Sequence, residues 1–387
     1  MGSLKQYLEV AIRQHQERGQ RLLERIPKPH KLPQEFYPLV SMSKREISAV
    51  LDSLEALVSN PTMLQAKHQP ERLRRFRRAV KDLSLLETTC VTALERHGEN
   101  DELLSQMIAQ ITREIAYPLL PPMVTSLSQD YFHIYPYFNL LFVPLTEGDF
   151  LLHLPDLYHE LGHPLVTERH DPSVRPFQMR LLEMLDAISD YLTKERQKEN
   201  RGRGGPKQFT SYFQVWEKSW LDWAVEFFCD LYAVYTIGPA FGWSHLHLYM
   251  KRGDKPYHVP LFGSSSHPAD HARMQTILYG LKLADFGEQA EKIESQWNTL
   301  LNMSGATPEP EFQRCFPDEV LQLFAQKVYE ATLDLNCQIV TPQTNHPVYS
   351  LLNEAWDVFW AQPSGYIEWE RIARQRLREM CSGKIRT

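Results

Sequence analysis

The chain has 387 residues, 43% of them hydrophobic, which is long enough for one large or two moderate domains with a sizeable core. Its net charge of −6 argues against a dedicated nucleic-acid binder. The five cysteines are scattered, odd in number and without CxxC spacing. This pattern excludes a disulfide framework and a thiolate zinc site, and it favours reduced thiols in a cytoplasmic protein.

The N-terminus has a charged, amphipathic pattern without the apolar segment of a secretory signal. No run of about twenty apolar residues follows anywhere in the chain, so the sequence predicts no membrane span. Both observations agree with a cytoplasmic location.

Helical patterns fill the first third of the chain. Ser43, with Glu46 three residues later, has the pattern of a capping box that opens a helix. The basic start of another helix, which has Pro70 at its first position, is interpreted as a solvated face. The predicted helices cover residues 4–26, Ser43 to about Val58, Pro70 to about His97, and 100–115.

The best β region covers residues 130–150, which are rich in Tyr, Phe, Ile and Val and are interrupted by prolines. Two interpretations of its segment Phe138–Pro144 remain open. The segment is either an exposed edge strand that pairs with an extended substrate, or part of a buried structural hairpin.

The next segment contains the sequence HELGH in an almost entirely apolar helix pattern. His159 and His163 are four residues apart, so both imidazoles can reach one metal ion from one helix face. Glu160 points elsewhere and can take a proton from a metal-bound water. Pro164 follows directly, and it predicts that the helix ends or kinks at His163.

A catalytic zinc site needs a third protein ligand. A metzincin site is excluded because Val166 and Arg169 occupy the positions where that class has Gly and His. A thermolysin-like site would take Glu183, about twenty residues on, or one of the nearby Asp186 and Asp190. However, residues 176–196 have the pattern of an ordinary amphipathic helix with its charges outside.

A better candidate lies in Ser219–Phe241, which is apolar nearly all round from Trp220 to Tyr235 and therefore predicts a buried helix. Asp222, Glu226 and Asp230 form a narrow acidic stripe along it. Zinc would supply a cation for Glu226, and Asp230 would hold a ligating histidine by its free ring N–H. The alternative is a buried carboxylate paired with an Arg or Tyr of another helix.

The long loop Asp254–Asp270 leads into a helix that is predicted to begin at Pro268. This region supplies candidate donors to an oxyanion: Tyr257, His258, His267, His271 and Arg273. His245 and His247, which precede it, lie on different helix faces and are poor partners for one metal. Further helices are predicted at about 287–303, 317–335, 346–360 and 365–381.

Three motifs occur in the order HELGH, ExxxD (Glu226 to Asp230) and HPxxxxR (His267 to Arg273). In this order they resemble the HtpX-like and CAAX-prenyl-protease gluzincins. The resemblance covers roughly residues 130–285 and implies a zinc metallopeptidase. His159, His163 and Glu226 would be its ligands and Glu160 its general base.

The resemblance also favours His267 and Arg273 as the groups that act on the oxyanion. Alternatively, Arg273 forms a structural salt bridge and does not act on the oxyanion. The implied reaction is hydrolysis of peptide bonds in a protein or peptide substrate. Zn²⁺ would be held by both histidines and the carboxylate, and the general base would activate the attacking water.

The expected fold is mainly α with a small β element. A zincin-like metallopeptidase core (121–304) would lie between an N-terminal helical region (1–120) and a C-terminal one (305–387). A regulatory protein partner is expected, since an intracellular protease needs restraint. Two alternatives remain: a silent pseudo-peptidase whose zinc has a fourth ligand such as His170 or His267, and a helical interaction protein in which HELGH is coincidental.

Overall fold

A computed structural model describes residues 4–128, 131–202, 210–253 and 255–381. The chain divides into two compact units. One consists of Met1–Gln106 and Pro121–Leu145, and the other of Met107–Leu120 and Thr146–Thr387. The three regions expected from the sequence, with boundaries at 120 and 304, remain a prediction. The expected fold class is confirmed, because the described residues are mainly helical with one small sheet.

The helices of the first unit agree with most of the predicted helical patterns. The helix Gln69–Leu86 continues through a π-helical turn, Glu87–Val91, into a short helix. The bounds are α1 Leu4–Arg25, α2 Tyr37–Ser59, α3 Pro61–Leu64, α4 Gln69–Leu86, α5 Thr92–Arg96 and α6 Glu99–Glu114, the last of which continues into the second unit.

The capping role predicted for Ser43 is wrong. The helix begins six residues earlier, at Tyr37, and Ser43 is buried within it. Its hydroxyl donates to the carbonyl of Leu39, 2.7 Å away. A serine inside a helix can satisfy its hydroxyl in this way, so the Ser-x-x-Glu spacing alone does not mark a helix start.

A three-stranded sheet completes the first unit, with strand order β1-β3-β2. β1 (Met123–Ser128) is parallel to β3 (Leu140–Pro144), and β2 (His133–Tyr135) is antiparallel to β3. β3 is therefore the central strand, and Leu140–Val143 are buried. The edge-strand interpretation of Phe138–Pro144 is wrong because neighbours occupy both sides of β3, whereas the hairpin interpretation agrees with the β2–β3 pairing.

The second unit contains the HELGH segment in α7. The bounds of its helices are α7 Asp156–Thr167, α8 Arg175–Gly202, α9 Thr210–Ile237, α10 Pro239–Arg252, α11 Asp270–Leu283, α12 Gly287–Ser304, α13 Phe312–Cys315, α14 Asp318–Asp334, α15 Pro347–Ala361 and α16 Tyr366–Cys381. The helix predicted to open at Pro268 begins two residues later, because Ala269 has an extended backbone.

The sequence predicts that the helix ends or kinks at His163, and the structure has no helix end there. α7 continues through Pro164 to Thr167. A proline removes one backbone hydrogen-bond donor. The following turn nevertheless keeps its backbone hydrogen bonds, and the amide of Glu168 donates to the carbonyl of Pro164 at 2.9 Å. Pro164 is buried, so packing favours the helical path of this last turn.

α9 is the central helix of the second unit. It contacts α7, α8, α10, α11 and α14. Its side chains Trp216, Trp220 and Trp223 are at most 2% exposed, which confirms the buried helix predicted from Trp220 onward. Among the described residues, no helix is both long and apolar enough to cross a membrane.

α7 and α9 approach each other closely at Gly162. A Cβ atom added to Gly162 would lie 2.9 Å from both Cα and Sγ of Cys229. Because one of these contacts is with backbone, rotation of the Cys229 side chain cannot relieve it. The separation of α7 and α9 therefore depends on a residue without a side chain.

We expect Gly162→Ala to reduce the free energy of unfolding by roughly 1–3 kcal/mol, as overpacking does, despite the higher helix propensity of alanine. Chemical denaturation measures this. Gly287→Ala is the control, since nothing lies within 4 Å of a Cβ there. Equal stability of the two variants would contradict the close packing of α7 on α9.

Candidate metal centre

α7 presents both HELGH histidines on one face, as their spacing predicts. The ring centroids of His159 and His163 are 5.1 Å apart, with ring planes at 78°. The ring of His159 also stacks on Phe241 at 6.1 Å. The two imidazoles are thus held side by side on the face that meets α9.

α9 brings the Glu226 carboxylate to the same place. Its Oε2 lies 3.6 Å from Nε2 of His159, and its Oε1 lies 4.0 Å from Nε2 of His163. Tetrahedral nitrogen and oxygen ligands at about 2.0–2.1 Å from zinc are about 3.4 Å apart. The Glu226 carboxylate is thus near both histidines, although a different one of its oxygens makes each of these contacts.

Asp230 lies one helical turn after Glu226 and holds His159 from behind. Nδ1 of His159 is 2.8 Å from Oδ1 of Asp230, which leaves Nε2 facing Glu226. A carboxylate on the far ring nitrogen fixes the tautomer and orientation of a ligating histidine. The contact with a histidine that the sequence predicts for Asp230 is present, and its role behind a metal ligand remains a prediction.

Arg273 of α11 neutralises the buried Asp230. Its Nε and Nη2 donate to the two carboxylate oxygens at 2.7 and 2.6 Å, and Asp230 is fully buried. Burial alone would raise the pKa of Asp230, but the charge and hydrogen bonds of Arg273, followed by those of His159, hold it well below its usual range. Asp230 is thus an anion with two fixed partners.

The two histidines have opposite pKa shifts. Burial lowers the pKa of His163 to about 4, with a further contribution from the charge of His159. Burial also opposes the charged form of His159, but its hydrogen bond to Asp230 and the charges of Asp230 and Glu226 raise its pKa to about 9. Since a ligating imidazole is neutral, metal binding has to displace a proton from His159 but not from His163.

Glu160 is buried beside this group. Its Oε2 lies 4.0 Å from Nε2 of His163, and the residue is 6% exposed. Glu160 therefore borders the same space as the two histidines, although it is on a different side of α7 from His159. This position agrees with the general-base role predicted from the sequence, which remains a prediction.

His267 lies at the exposed side of the group. Its Nε2 is 3.9 Å from Oε2 of Glu226, its side chain is 62% exposed, and its Nδ1 is 2.9 Å from Oγ of Ser266. Burial of part of the ring lowers its pKa. The structure thus brings His267 to the other predicted site residues, where it can contact a bound substrate.

The remaining oxyanion candidates have other contacts. Arg273 is 7% exposed and has the contacts of a salt-bridge anchor, so its oxyanion role remains a prediction without a contact in its favour. The ring of Tyr257 packs on His271 at 4.6 Å, and Nδ1 of His271 accepts from the indole of Trp297. His258 faces Glu309 instead.

The alternative third ligands point elsewhere. Glu183 is paired with Arg180 and Lys327 at 3.2 and 3.1 Å. Asp186, Asp190, Asp222 and His170 are exposed. Of the acidic stripe predicted on α9, therefore, the exposed Asp222 is a surface residue, whereas Glu226 and Asp230 face α7.

Sequence reasoning missed Cys229 as a neighbour of the histidines. One donor atom each from His159, His163 and Cys229 lie within 4.8 Å of one another, so this group can hold a metal ion. Two observations favour Glu226 over Cys229 as the ligand. Burial and then the nearby carboxylates raise the pKa of the thiol well above its usual value, and the same side chain is packed against Gly162.

No spacing in the sequence marks Cys229 as a neighbour of the histidines. It lies three residues after Glu226 and seventy residues after His159, and CxxC spacing cannot find such a residue. Comparison with known proteins adds no further assignment: no family model, no curated protein and no solved structure matches the chain.

We expect Arg273→Leu to cost about 3 kcal/mol of unfolding free energy, near the lower end of what breaking a buried ion pair costs, because His159 still pairs with Asp230. Chemical denaturation with metal chelated measures this. Arg371→Leu is the control, since Arg371 forms an exposed pair with Glu368 that contributes at most about 1 kcal/mol.

A cost at Arg273 no larger than at Arg371 would contradict the anchoring role. It would return Arg273 to the group of residues that are available to a substrate.

Proposed function

We propose that this protein is a zinc-dependent metallopeptidase that cleaves protein or peptide substrates. The observation that carries the proposal is the approach of the Glu226 carboxylate to Nε2 of His159 at 3.6 Å and to Nε2 of His163 at 4.0 Å. Two imidazoles and one carboxylate are the protein ligands of a known class of catalytic zinc site, which keeps a fourth position for water.

The zinc ion itself is inferred from the donor set. Imidazole nitrogen and carboxylate oxygen are ligand atoms that suit Zn²⁺, and a carboxylate behind a ligating histidine is the usual second layer of such sites. When bound, zinc would polarise a substrate carbonyl and lower the pKa of a water molecule towards 7.

The chain's own residues would perform the proton transfers. Glu160 borders the space between the histidines, so its carboxylate is placed to take a proton from the attacking water and to pass it to the leaving amine. His267, exposed at the same group, is placed to donate to the oxygen of the substrate carbonyl. Asp230, which Arg273 neutralises, would orient His159 from its buried side.

The resemblance to HtpX-like and CAAX-prenyl-protease gluzincins supports the same assignment. The three motifs that carry it converge: HELGH supplies α7, ExxxD supplies both acidic residues of α9, and HPxxxxR supplies His267 and Arg273. We propose membership of this group on the motif order and this convergence.

A second candidate function is a silent metal-stapled pseudo-peptidase. Cys229 favours it, because a thiolate added to His159, His163 and Glu226 would give four protein ligands and close the site. The two functions differ in whether the thiol is a ligand. Removal of the thiol therefore distinguishes them.

We expect about one zinc per purified chain by mass spectrometry, and loss of that zinc in His159→Ala and Glu226→Ala. Asp222→Ala is the matched control, because Asp222 lies one turn before Glu226 in the same helix and is exposed. Cys229→Ala should retain the metal, because we assign its side chain to packing.

Zinc lost from Cys229→Ala but retained in Glu226→Ala would exclude the proposed ligand set. No zinc uptake by the wild-type chain would exclude the enzyme and leave the helical interaction protein in its place.

We expect Glu160→Gln to retain zinc and to lose peptidase activity by about 10²–10⁴-fold, the usual contribution of a general acid–base group. Cleavage of a denatured protein substrate, monitored by mass spectrometry, measures this. His267→Gln should lower kcat with little change in zinc content.

Glu217→Gln, on the same helix as Glu226 but paired with Arg196, serves as an isosteric control. Activity of the zinc-loaded Glu160→Gln variant equal to wild type would contradict the proposed mechanism.

A further inference from the structure

A surface groove lies in the second unit, outside the candidate metal centre. Residues of α10, α12 and α15 line it, and its volume is about 720 Å³. α10 packs against both of the other helices. The groove includes none of His159, His163 and Glu226, so any ligand there binds independently of the proposed function.

Two tryptophans give the groove an aromatic surface. Trp243 is 7% exposed and Trp360 is 40% exposed, and their ring centroids are 4.9 Å apart at 46°. A group held between two rings would need their centroids about 7 Å apart, twice a van der Waals contact. The pair therefore does not form a cage around an ammonium ion, and Trp360 is the more accessible of the two rings.

The groove is also acidic. Its lining includes the carboxylates of Glu288, Glu291 and Asp357, and Lys292 is the one basic residue among the described residues that line it. The formal charge of these four side chains is −2. An aromatic face next to an excess of carboxylates attracts a cation.

We propose that this groove binds an arginine side chain of a peptide or protein partner. A guanidinium is planar, so it stacks on one open tryptophan face, and its remaining N–H groups donate to carboxylates at the edge of the ring. A compact ammonium lacks the planar contact. The volume of the groove admits the peptide on both sides of the arginine.

The test uses a short acetylated and amidated peptide, Gly-Arg-Arg-Gly, and the full-length chain with metal chelated so that the probe is not cleaved. Binding is followed by the indole N–H resonances of the ¹⁵N-labelled protein, with Trp360→Phe to assign one of them. We expect saturable shifts of the Trp243 and Trp360 signals. The citrulline peptide, which has the same shape without the charge, should not produce them.

Variants change binding in opposite directions. We expect Trp360→Ala and Asp357→Asn each to weaken it about threefold, and Lys292→Gln to tighten it about threefold, as exposed cation–π and ionic contacts do. Trp369→Ala and Glu368→Gln, on α16 outside the groove, should leave it unchanged. Both Asp357 and Trp360 are exposed, so their substitution leaves the core of the protein intact. The tighter binding expected for Lys292→Gln cannot result from a loss of folding.

Three results would overturn the proposal. One is equal binding of the arginine and citrulline peptides, and another is unchanged binding in the variant that combines Trp360→Ala and Asp357→Asn. The third is displacement of the arginine peptide by tetramethylammonium at lower concentrations than by free arginine, which would assign the groove to quaternary ammonium ions. Because the metal is chelated throughout, none of these results depends on the peptidase.

Discussion

The buried chain of contacts from Arg273 through Asp230 to His159 is the constraint on which the candidate metal centre depends. It joins α11, α9 and α7 through three hydrogen bonds of 2.6–2.8 Å. A fully buried carboxylate is tolerated only when its charge and lone pairs are satisfied. Satisfying Asp230 therefore fixes the relative position of three helices, and the orientation of His159 follows from it.

Close packing of α7 on α9 positions Glu226, which these hydrogen bonds do not involve. Gly162 allows α7 to approach the backbone of α9 at Cys229, which lies three residues after Glu226 and within one turn of it. This close approach brings Glu226 within 3.6 Å of His159. Pro164, buried in the last turn of α7, belongs to the same packed face.

Much of the candidate site could be predicted from helical periodicity. The spacings of His159 and His163, and of Glu226 and Asp230, each place two side chains one turn apart, and the structure brings the two pairs together. Periodicity could not predict Cys229, because its proximity to the histidines results from the close packing of two helices that are distant in sequence. The contact of Arg273 with Asp230 likewise depends on where α11 packs, and the sequence left two roles open for it.

The fold class could be predicted, but some boundaries could not. Ser43 has the spacing of a capping residue, yet the helix begins at Tyr37, where no polar side chain marks its start. β1 was missed because it precedes the region richest in β-branched and aromatic residues, and without β1 the central position of β3 cannot be deduced. Local patterns carry no information about which strand a segment pairs with.

The neutralisation of Asp230 by Arg273 has a consequence for the order of assembly. The most deeply buried charge beside the candidate ligands is balanced by a residue of the chain itself, and the metal-free His159 carries a proton that pairs with the same carboxylate. Zinc fingers, by contrast, fold only when metal arrives. For the proposed zinc enzyme, this charge balance predicts folding before metal binding, so that zinc would replace the proton on His159 in an already folded chain.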